Sequence, residues 1–143
     1  MEKESVTYLL RKIVKKVHVY AGRQLVKDSL NFPQYQVLML LNYKEKLSMS
    51  EVKKELMISH SGATNLIDKL VKKSLIKRYY SSNDRRKVMI ALTKNGEGVL
   101  EKLLSSHEEF VGHLSAKIGK EGLETVKKAL KIFLKFINTY VEE

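Results

Sequence analysis

Two short helical patterns, separated by a very tight turn, constrain the fold of this chain more than any other feature. The first begins at Ser48, which together with Glu51 matches a capping box, where each side chain satisfies a free backbone N–H group. The second runs from Ile58 to Lys73 and opens at Ser59, a residue type favoured at helix starts. Its apolar residues recur at spacings of three and four, namely Ala63, Leu66, Ile67, Leu70 and Val71. This pattern predicts a helix-turn-helix.

The opposite face of the second helix is polar, with short side chains in its first half and basic ones in its second. It carries Ser61, Asn65, Asp68 and Lys72, flanked by Thr64 and Lys69. A helix of this kind can bring its N-terminal end to base edges while its lysines lie near phosphates. The alternative is a surface helix whose polar face contacts only water.

A β-hairpin follows the second helix. Residues 75–80 and 87–92 are rich in β-branched and aromatic side chains, which favour strands, and residues 81–86 form a polar loop. Arg85 and Arg86 lie near the tip, where arginine can reach a minor groove with its concentrated negative potential. The alternative is that Asp84 only forms a solvated ion pair with one of these arginines.

Long amphipathic helices are predicted on both sides of this region. Residues 2 to about 29 carry a stripe long enough that part of it is expected to pack against another chain, although folding back onto its own domain is an equal alternative. Pro33 opens a second, mostly buried helix over residues 34–42, and residues 43–47 are predicted to be a charged connector. Two further helices are expected over residues 94–117 and 123–141, with a break at residues 119–122.

The charge of the chain favours a polyanionic partner. The formal net charge is +11, and residues 59–92 hold eight basic residues against two acidic ones. No cysteine is present, which excludes disulfides and thiolate metal sites. Without an apolar leader or a membrane-length segment, we predict a cytoplasmic protein with no membrane partner. An enzyme is the least expected class, because no nucleophile–base pair, carboxylate pair or phosphate-binding glycine loop is evident.

The run from Asn31-Phe32-Pro33 through Leu92-Thr93-x-x-Gly96 resembles the DNA-binding half of MarR-type transcriptional regulators. The most specific matches are residues 66–70, 75–78 and 84–86 and the final Leu92-Thr93-x-x-Gly96, in order and at the family's spacing. The resemblance implies a mainly α fold of the α+β class, a winged helix-turn-helix with a two-stranded β-wing. It also implies a homodimer on a palindromic double-stranded DNA operator. The domains would be a dimerisation helix at 1–30, the DNA-binding region at 31–97 and dimerisation helices at 98–143.

The resemblance also suggests which side chains meet DNA. The recognition helix would contribute Ser59, His60, Ser61, Thr64, Asn65, Lys69 and Lys72, and the wing would contribute Asp84, Arg85, Arg86 and Lys87. Arg86 would enter the minor groove with Asp84 orienting it. The chain departs from the family pattern at Gly62-Ala63 and at Asn65, where arginine is common. Asparagine favours an adenine contact, so the operator is expected to differ from those of better-known members.

Family members commonly sense small phenolic or aromatic acids, and some sense oxidants through cysteine or bind zinc. The absence of cysteine removes the thiol route, and no two histidines are spaced to share a metal on one helix face, so we expect no metal and no cofactor. His18 and Tyr35 are candidates to line an effector cleft. The favoured function is a repressor that an effector releases. The alternatives are an RNA-binding or architectural winged-helix protein without sequence readout, and a protein-interaction module.

Overall fold

The computed structural model describes residues 5–141 of the chain, with side chains as far as residue 139. The chain divides into two compact units, Met1–Leu103 and Leu104–Glu143. The predicted start of the first helix at residues 2–4 and the side chain of Tyr140 lie outside the described residues.

The first unit is helical with one small sheet. Helices α1 (Val6–Lys27) and α2 (Phe32–Lys44) precede strand β1 (Lys46–Ser48), and helices α3 (Met49–Leu56) and α4 (His60–Lys72) follow it. Strands β2 (Ile76–Tyr80) and β3 (Val88–Leu92) form the hairpin, and helix α5 (Lys94–Val141) begins in this unit. All strand pairs are antiparallel, in the order β1-β3-β2. The predicted fold class, a winged helix-turn-helix of the α+β type, is confirmed.

Side-chain caps explain where the central helices begin. Asn31 and Gln34 form a capping box at the start of α2, and Ser48 and Glu51 form another at the start of α3. The Glu51 carboxylate accepts hydrogen bonds from the Ser48 N–H group (2.7 Å) and the Ser48 hydroxyl (2.8 Å). These bonds favour the charged carboxylate and hold the pKa of Glu51 below its ordinary value. The capping box predicted at Ser48 is therefore present.

Strand β1 corrects the prediction of a charged connector at residues 43–47. Helix α2 continues to Lys44, and the next residues join the sheet, where Leu47 lies opposite Ile90 of β3. Leu47 and Ile90 are both fully buried, so the pair anchors this edge of the sheet in the core. A three-residue strand with one apolar residue has too short a pattern to be recognised before its partner is known.

The core lies between α2, α3, α4, the sheet and the start of α5. Its fully buried members include Val37, Leu38, Leu41, Leu47, Val52, Ile67, Leu70, Ile76 and Ile90. In α2, Tyr35 and Leu40 are only half-buried, whereas the polar Gln34 is 3% exposed. Helix α1 contributes Ala21 and Leu25 from its C-terminal part. The rest of its predicted stripe, Val6 through Val17, is exposed.

The junction between β3 and α5 explains the Leu92-Thr93-x-x-Gly96 motif. The Thr93 hydroxyl donates to the carbonyl of Ser74 (2.6 Å) and accepts from the N–H group of Gly96 (3.0 Å). The Thr93 N–H group donates to the carbonyl of Leu75 (3.0 Å). A Cβ atom on Gly96 would lie 1.9 Å from that same carbonyl oxygen, so only glycine permits this approach. The motif thus ties α5 to the turn that follows α4.

The second unit consists of the remainder of α5. Its helical geometry is interrupted at Gly119, with φ of 72° and ψ of 172°, so the break predicted over residues 119–122 is confined to one residue. Beyond the break, the predicted stripe at Val126, Leu130, Phe133, Leu134 and Ile137 is exposed, and so are Ile132 and Phe136, which the sequence analysis did not place on it. No helix among residues 5–141 is long and apolar enough to cross a membrane.

Candidate nucleic-acid interface

Helix α4 is fixed by its apolar stripe, which leaves its polar face outward. Ala63, Ile67 and Leu70 are fully buried and Leu66 is 9% exposed, whereas Val71 is half-buried. The exposed side chains are Ser61, Asn65, Lys69 and Lys72, and Thr64 and Asp68 are half-buried. The helical periodicity therefore separated the packed face from the outward face correctly.

Several hydroxyl groups at the start of α4 are already engaged with the backbone. Ser59 is the N-cap, and its hydroxyl oxygen accepts from the N–H group of Gly62 (3.1 Å) and lies 3.1 Å from the Ser61 hydroxyl. The Thr64 hydroxyl donates to the carbonyl of His60 (3.0 Å). By contrast, the exposed carboxamide of Asn65 has no hydrogen-bond partner among the described residues. Asn65 is thus available to an external partner at this end.

Arg78 of β2 joins the hairpin to α4, a role that the sequence analysis did not assign to it. Its guanidinium forms an ion pair with the Asp68 carboxylate (2.6 Å) and contacts the carbonyl of Thr64 (3.5 Å). Asp68 was predicted only as part of the polar face. The sequence does show an acidic residue, Asp68, on that face and a basic strand residue, Arg78, ten positions later. Their pairing could not be predicted from this, because it depends on how the strand packs beside the helix.

The hairpin loop is shaped by Asp84. One carboxylate oxygen of Asp84 accepts from the N–H group of Arg86 (3.0 Å), and its carbonyl accepts from the N–H group of Lys87 (2.9 Å). The N–H group of Ser81 donates to the Lys87 carbonyl (3.0 Å) and closes the loop. Within the described residues, Asp84 forms no ion pair with either arginine. It holds the backbone of Arg86 and leaves Arg85, Arg86 and Lys87 exposed.

The remaining predicted residues of α4 lie along two cavities. His60 and Thr64 line a cavity of about 410 Å³ with Arg78, Tyr79 and Tyr80 of β2. Lys69 and Lys72 line a separate cavity near the turn between α1 and α2. The structure therefore groups His60 and Thr64 with the hairpin, and places the two lysines with residues distant in sequence.

The predicted effector residues are linked through a third ring that the sequence analysis missed. The His18 ring lies 4.8 Å from the Phe32 ring, which lies 6.1 Å from the Tyr35 ring, measured between centroids. Burial raises the pKa of Tyr35, so its phenol stays protonated at neutral pH. Phe32 lies directly before a proline at the start of α2. Nothing in the sequence at this position predicts that its ring lies between those of His18 and Tyr35. Residues 5–141 contain no group of three His, Asp or Glu side chains close enough to hold a metal ion.

Comparison with known proteins identifies relatives across this region. The MarR family model matches residues 30–88. An uncharacterised HTH-type transcriptional regulator of Bacillus subtilis, YfiV, is 31% identical over 127 residues, which cover 89% of this chain and 76% of the relative. The HTH-type transcriptional repressor YetL of the same organism is 33% identical over 92 residues, 63% of this chain and 52% of the relative.

Solved structures of related proteins also superpose on this chain. A mutant of MepR from Staphylococcus aureus superposes with a TM-score of 0.81 at 26% identity, covering 93% of this chain and 98% of that protein. A second MepR mutant, bound to an oligodeoxyribonucleotide, superposes with a TM-score of 0.71 at 26% identity over the same shares. The relatives are transcriptional regulators and not enzymes. On these similarities, the chain belongs to the MarR family of transcriptional regulators.

Proposed function

We propose that this regulator is a homodimeric, sequence-specific DNA-binding repressor released by a small aromatic effector. The observation that carries the proposal is the pair of outward groups on the first unit: the free carboxamide of Asn65 on α4 and the exposed arginines of the hairpin loop. The MepR mutant bound to an oligodeoxyribonucleotide and the repressor YetL support the DNA partner and the sign of regulation. In this proposal α4 and the hairpin bind DNA, and the function involves no catalytic step.

In this proposal α4 reads bases and the wing fixes its position. Asn65 donates and accepts in a bidentate contact with adenine, with Ser59, His60, Ser61 and Thr64 around it at the groove entrance. Arg86, with Arg85 and Lys87 beside it, enters the adjacent minor groove, and Asp84 fixes the loop that presents them. The Asp68–Arg78 ion pair keeps the hairpin in register with α4.

The dimer is proposed from the apolar side chains left exposed on α1 and α5. On α1 these are Val6, Leu9, Leu10, Ile13, Val14 and Val17, which are 38% to 60% exposed. Contiguous apolar surface of this kind marks an interaction site, and a second copy of the chain would cover it. The exposed apolar stripes within residues 1–30 and 98–143 would then form the interface, and residues 31–97 would bind DNA as two lobes about one helical turn apart.

The effector is proposed to bind at the rings of His18, Phe32 and Tyr35. A flat aromatic acid can stack on these rings. Binding would favour a dimer geometry in which the two α4 helices no longer match adjacent major grooves. Titrating phenolic acids into the DNA complex tests this: release of DNA is expected, and Phe32→Ala should weaken it.

A salt titration tests DNA binding through the wing. Each phosphate contact releases counterions, so Arg86→Ala should lower the slope of log affinity against log salt by about 1 for a random-sequence duplex. Lys117→Ala removes the same charge from an exposed position on α5 and serves as the matched control. Equal slopes for wild type and Arg86→Ala would remove the wing from the interface.

Light scattering tests the dimer. Ile13→Glu places a charge in the exposed stripe of α1 and should convert the protein to monomer. Val26 is 74% exposed on the other side of the same helix, so Val26→Glu is the matched control and should leave the dimer intact. A wild-type monomer at all concentrations would contradict the proposal, and so would an unchanged mass for Ile13→Glu.

A further inference from the structure

The turn between α1 and α2 and the C-terminal half of α4 line an open surface groove, here named the turn cavity. Its polar lining residues are Ser29, Asn31, Gln34, Lys69, Lys72 and Lys73. The remaining lining residue is Leu30, so no acidic side chain faces the space. None of the three lysines forms an ion pair within the described residues. The cavity is therefore positively charged and uncompensated.

The capping box of α2 leaves two further donors on residues that line this cavity. The Asn31 carboxamide oxygen accepts from the N–H group of Gln34 (3.0 Å), and the Gln34 carboxamide oxygen accepts from the N–H group of Asn31 (3.1 Å). Because both amide oxygens are bound to the backbone, both NH2 groups are left to donate elsewhere. The sequence reveals the cap, but only the fold shows that both residues line this cavity.

Gln34 is the more informative of the two, because it is 3% exposed. Its NH2 group makes no hydrogen bond to the described residues, and Gln34 is one of the residues that line the turn cavity. A buried amide with an unused donor at the edge of a cationic cavity is what an anion site provides.

Lys73 gives the cavity a fixed cationic wall. Its ammonium group donates to the carbonyl of Ser29, which holds the side chain against the turn. Lys69 and Lys72 are exposed and free to close over a bound group. Lysines near the C-terminus of a helix also stabilise the helix dipole, but that effect does not require the two amides beside them.

We propose that the turn cavity binds a phosphate-class oxyanion, held by the ammonium groups of Lys69, Lys72 and Lys73 and the amides of Asn31 and Gln34. Two sources supply this chemistry: a free phosphate or phosphate ester, and a phosphate of the DNA backbone. The site is additional to the proposed contacts of the N-terminal half of α4 and does not depend on them.

The side-chain NH2 resonances of Asn31 and Gln34 report directly on the site in ¹⁵N NMR spectra of the full chain. Inorganic phosphate and pyrophosphate are titrated at pH 7.5 against sodium chloride at matched ionic strength, and a random-sequence duplex is titrated separately. Saturable shifts of both amides with either free anion support a small-ligand site. Shifts with the duplex alone also support the site and assign the phosphate to the DNA backbone.

Two variants and one control make the result specific. Lys72→Ala removes an exposed charge and should weaken the binding about fivefold or more. Gln34→Glu keeps the capping oxygen but replaces the NH2 group with a carboxylate oxygen, and should abolish the binding as read from the remaining Asn31 resonance. Lys53→Ala, an exposed lysine of α3 outside the cavity, should bind like wild type. Thermal unfolding verifies that each variant is folded.

The proposal is overturned if neither free anion nor the duplex shifts the two amide resonances. It is also overturned if Lys72→Ala and Lys53→Ala respond equally to the anion that shifts the amides of the wild type, because general attraction to a basic surface would then explain the shifts. The phosphate titration contains no DNA, so its outcome is separate from that of the proposed DNA-binding function.

Discussion

Replacing Gly96 with alanine should destabilise the protein through one contact. The added Cβ would lie 1.9 Å from the Leu75 carbonyl oxygen, and ordinary van der Waals contact begins at 3.4 Å, so backbone must move by about 1.5 Å. That movement disrupts three hydrogen bonds of Thr93: those to the carbonyls of Ser74 and Leu75, and the one from the N–H group of residue 96. Three bonds at about 1 kcal/mol each, less about 1 kcal/mol for alanine's better helix propensity, leave a loss of about 2 kcal/mol.

Urea denaturation followed by circular dichroism measures this loss, and Gly98→Ala is its control. Gly98 lies two residues later in the same helix, and a Cβ added there meets no atom within 4 Å. Gly98→Ala should therefore stabilise the protein by up to about 1 kcal/mol. Equal free energies of unfolding for the two variants would refute the argument that the close approach at Leu75 requires glycine.

Three further outcomes follow from other positions. Met57 is 83% exposed and has a left-handed backbone, with φ of 52° and ψ of 41°. Because glycine adopts this conformation without strain, Met57→Gly should raise the free energy of unfolding by about 0.5–1 kcal/mol in the same urea assay. An unchanged free energy of unfolding would show that Met57 is unstrained. The pKa of Glu51 is lowered on folding, so the stability from its cap is present above the unfolded pKa and is lost as the pH falls through the folded pKa. Glu51→Gln should accordingly be less stable than wild type at pH 7, by about 1 kcal/mol or less, with a difference that shrinks in acid; a difference independent of pH would contradict this. Asn65→Ala should relax the preference for one base pair of the operator while binding to random duplex stays close to wild type, as measured by competition between duplexes; a uniform loss across all sequences would make Asn65 a backbone contact.

Helix starts and the packed face of α4 could be predicted from sequence because both depend on local chemistry. The capping residues Ser48 and Ser59 begin α3 and α4 as expected, and the apolar spacing in α4 identified its buried side. Strand β1 could not be predicted, because its pairing with β3 is a contact between residues more than forty positions apart. Sequence patterns over a few residues carry no information about such a partner.

The candidate site was predicted in part, for the same reason. The outward position of Asn65 and the exposure of the loop arginines follow from helical periodicity and from the polar loop. The engagement of the Thr64 hydroxyl, the pairing of Asp68 with Arg78 and the position of Lys69 beside the turn between α1 and α2 depend on tertiary contacts. These tertiary contacts determine which polar side chains of α4 remain free to bind a partner. The sequence pattern alone does not distinguish the free side chains from the engaged ones.

The central claim, that two copies of α4 and its wing read one duplex together, is tested most directly by selecting bound duplexes from a random pool. The account predicts enrichment of a palindrome of two short half-sites whose centres are about 10 base pairs apart, with an adenine at the position that Asn65 reads. Enrichment of a single half-site, or a bound pool as random as the starting one, would contradict it.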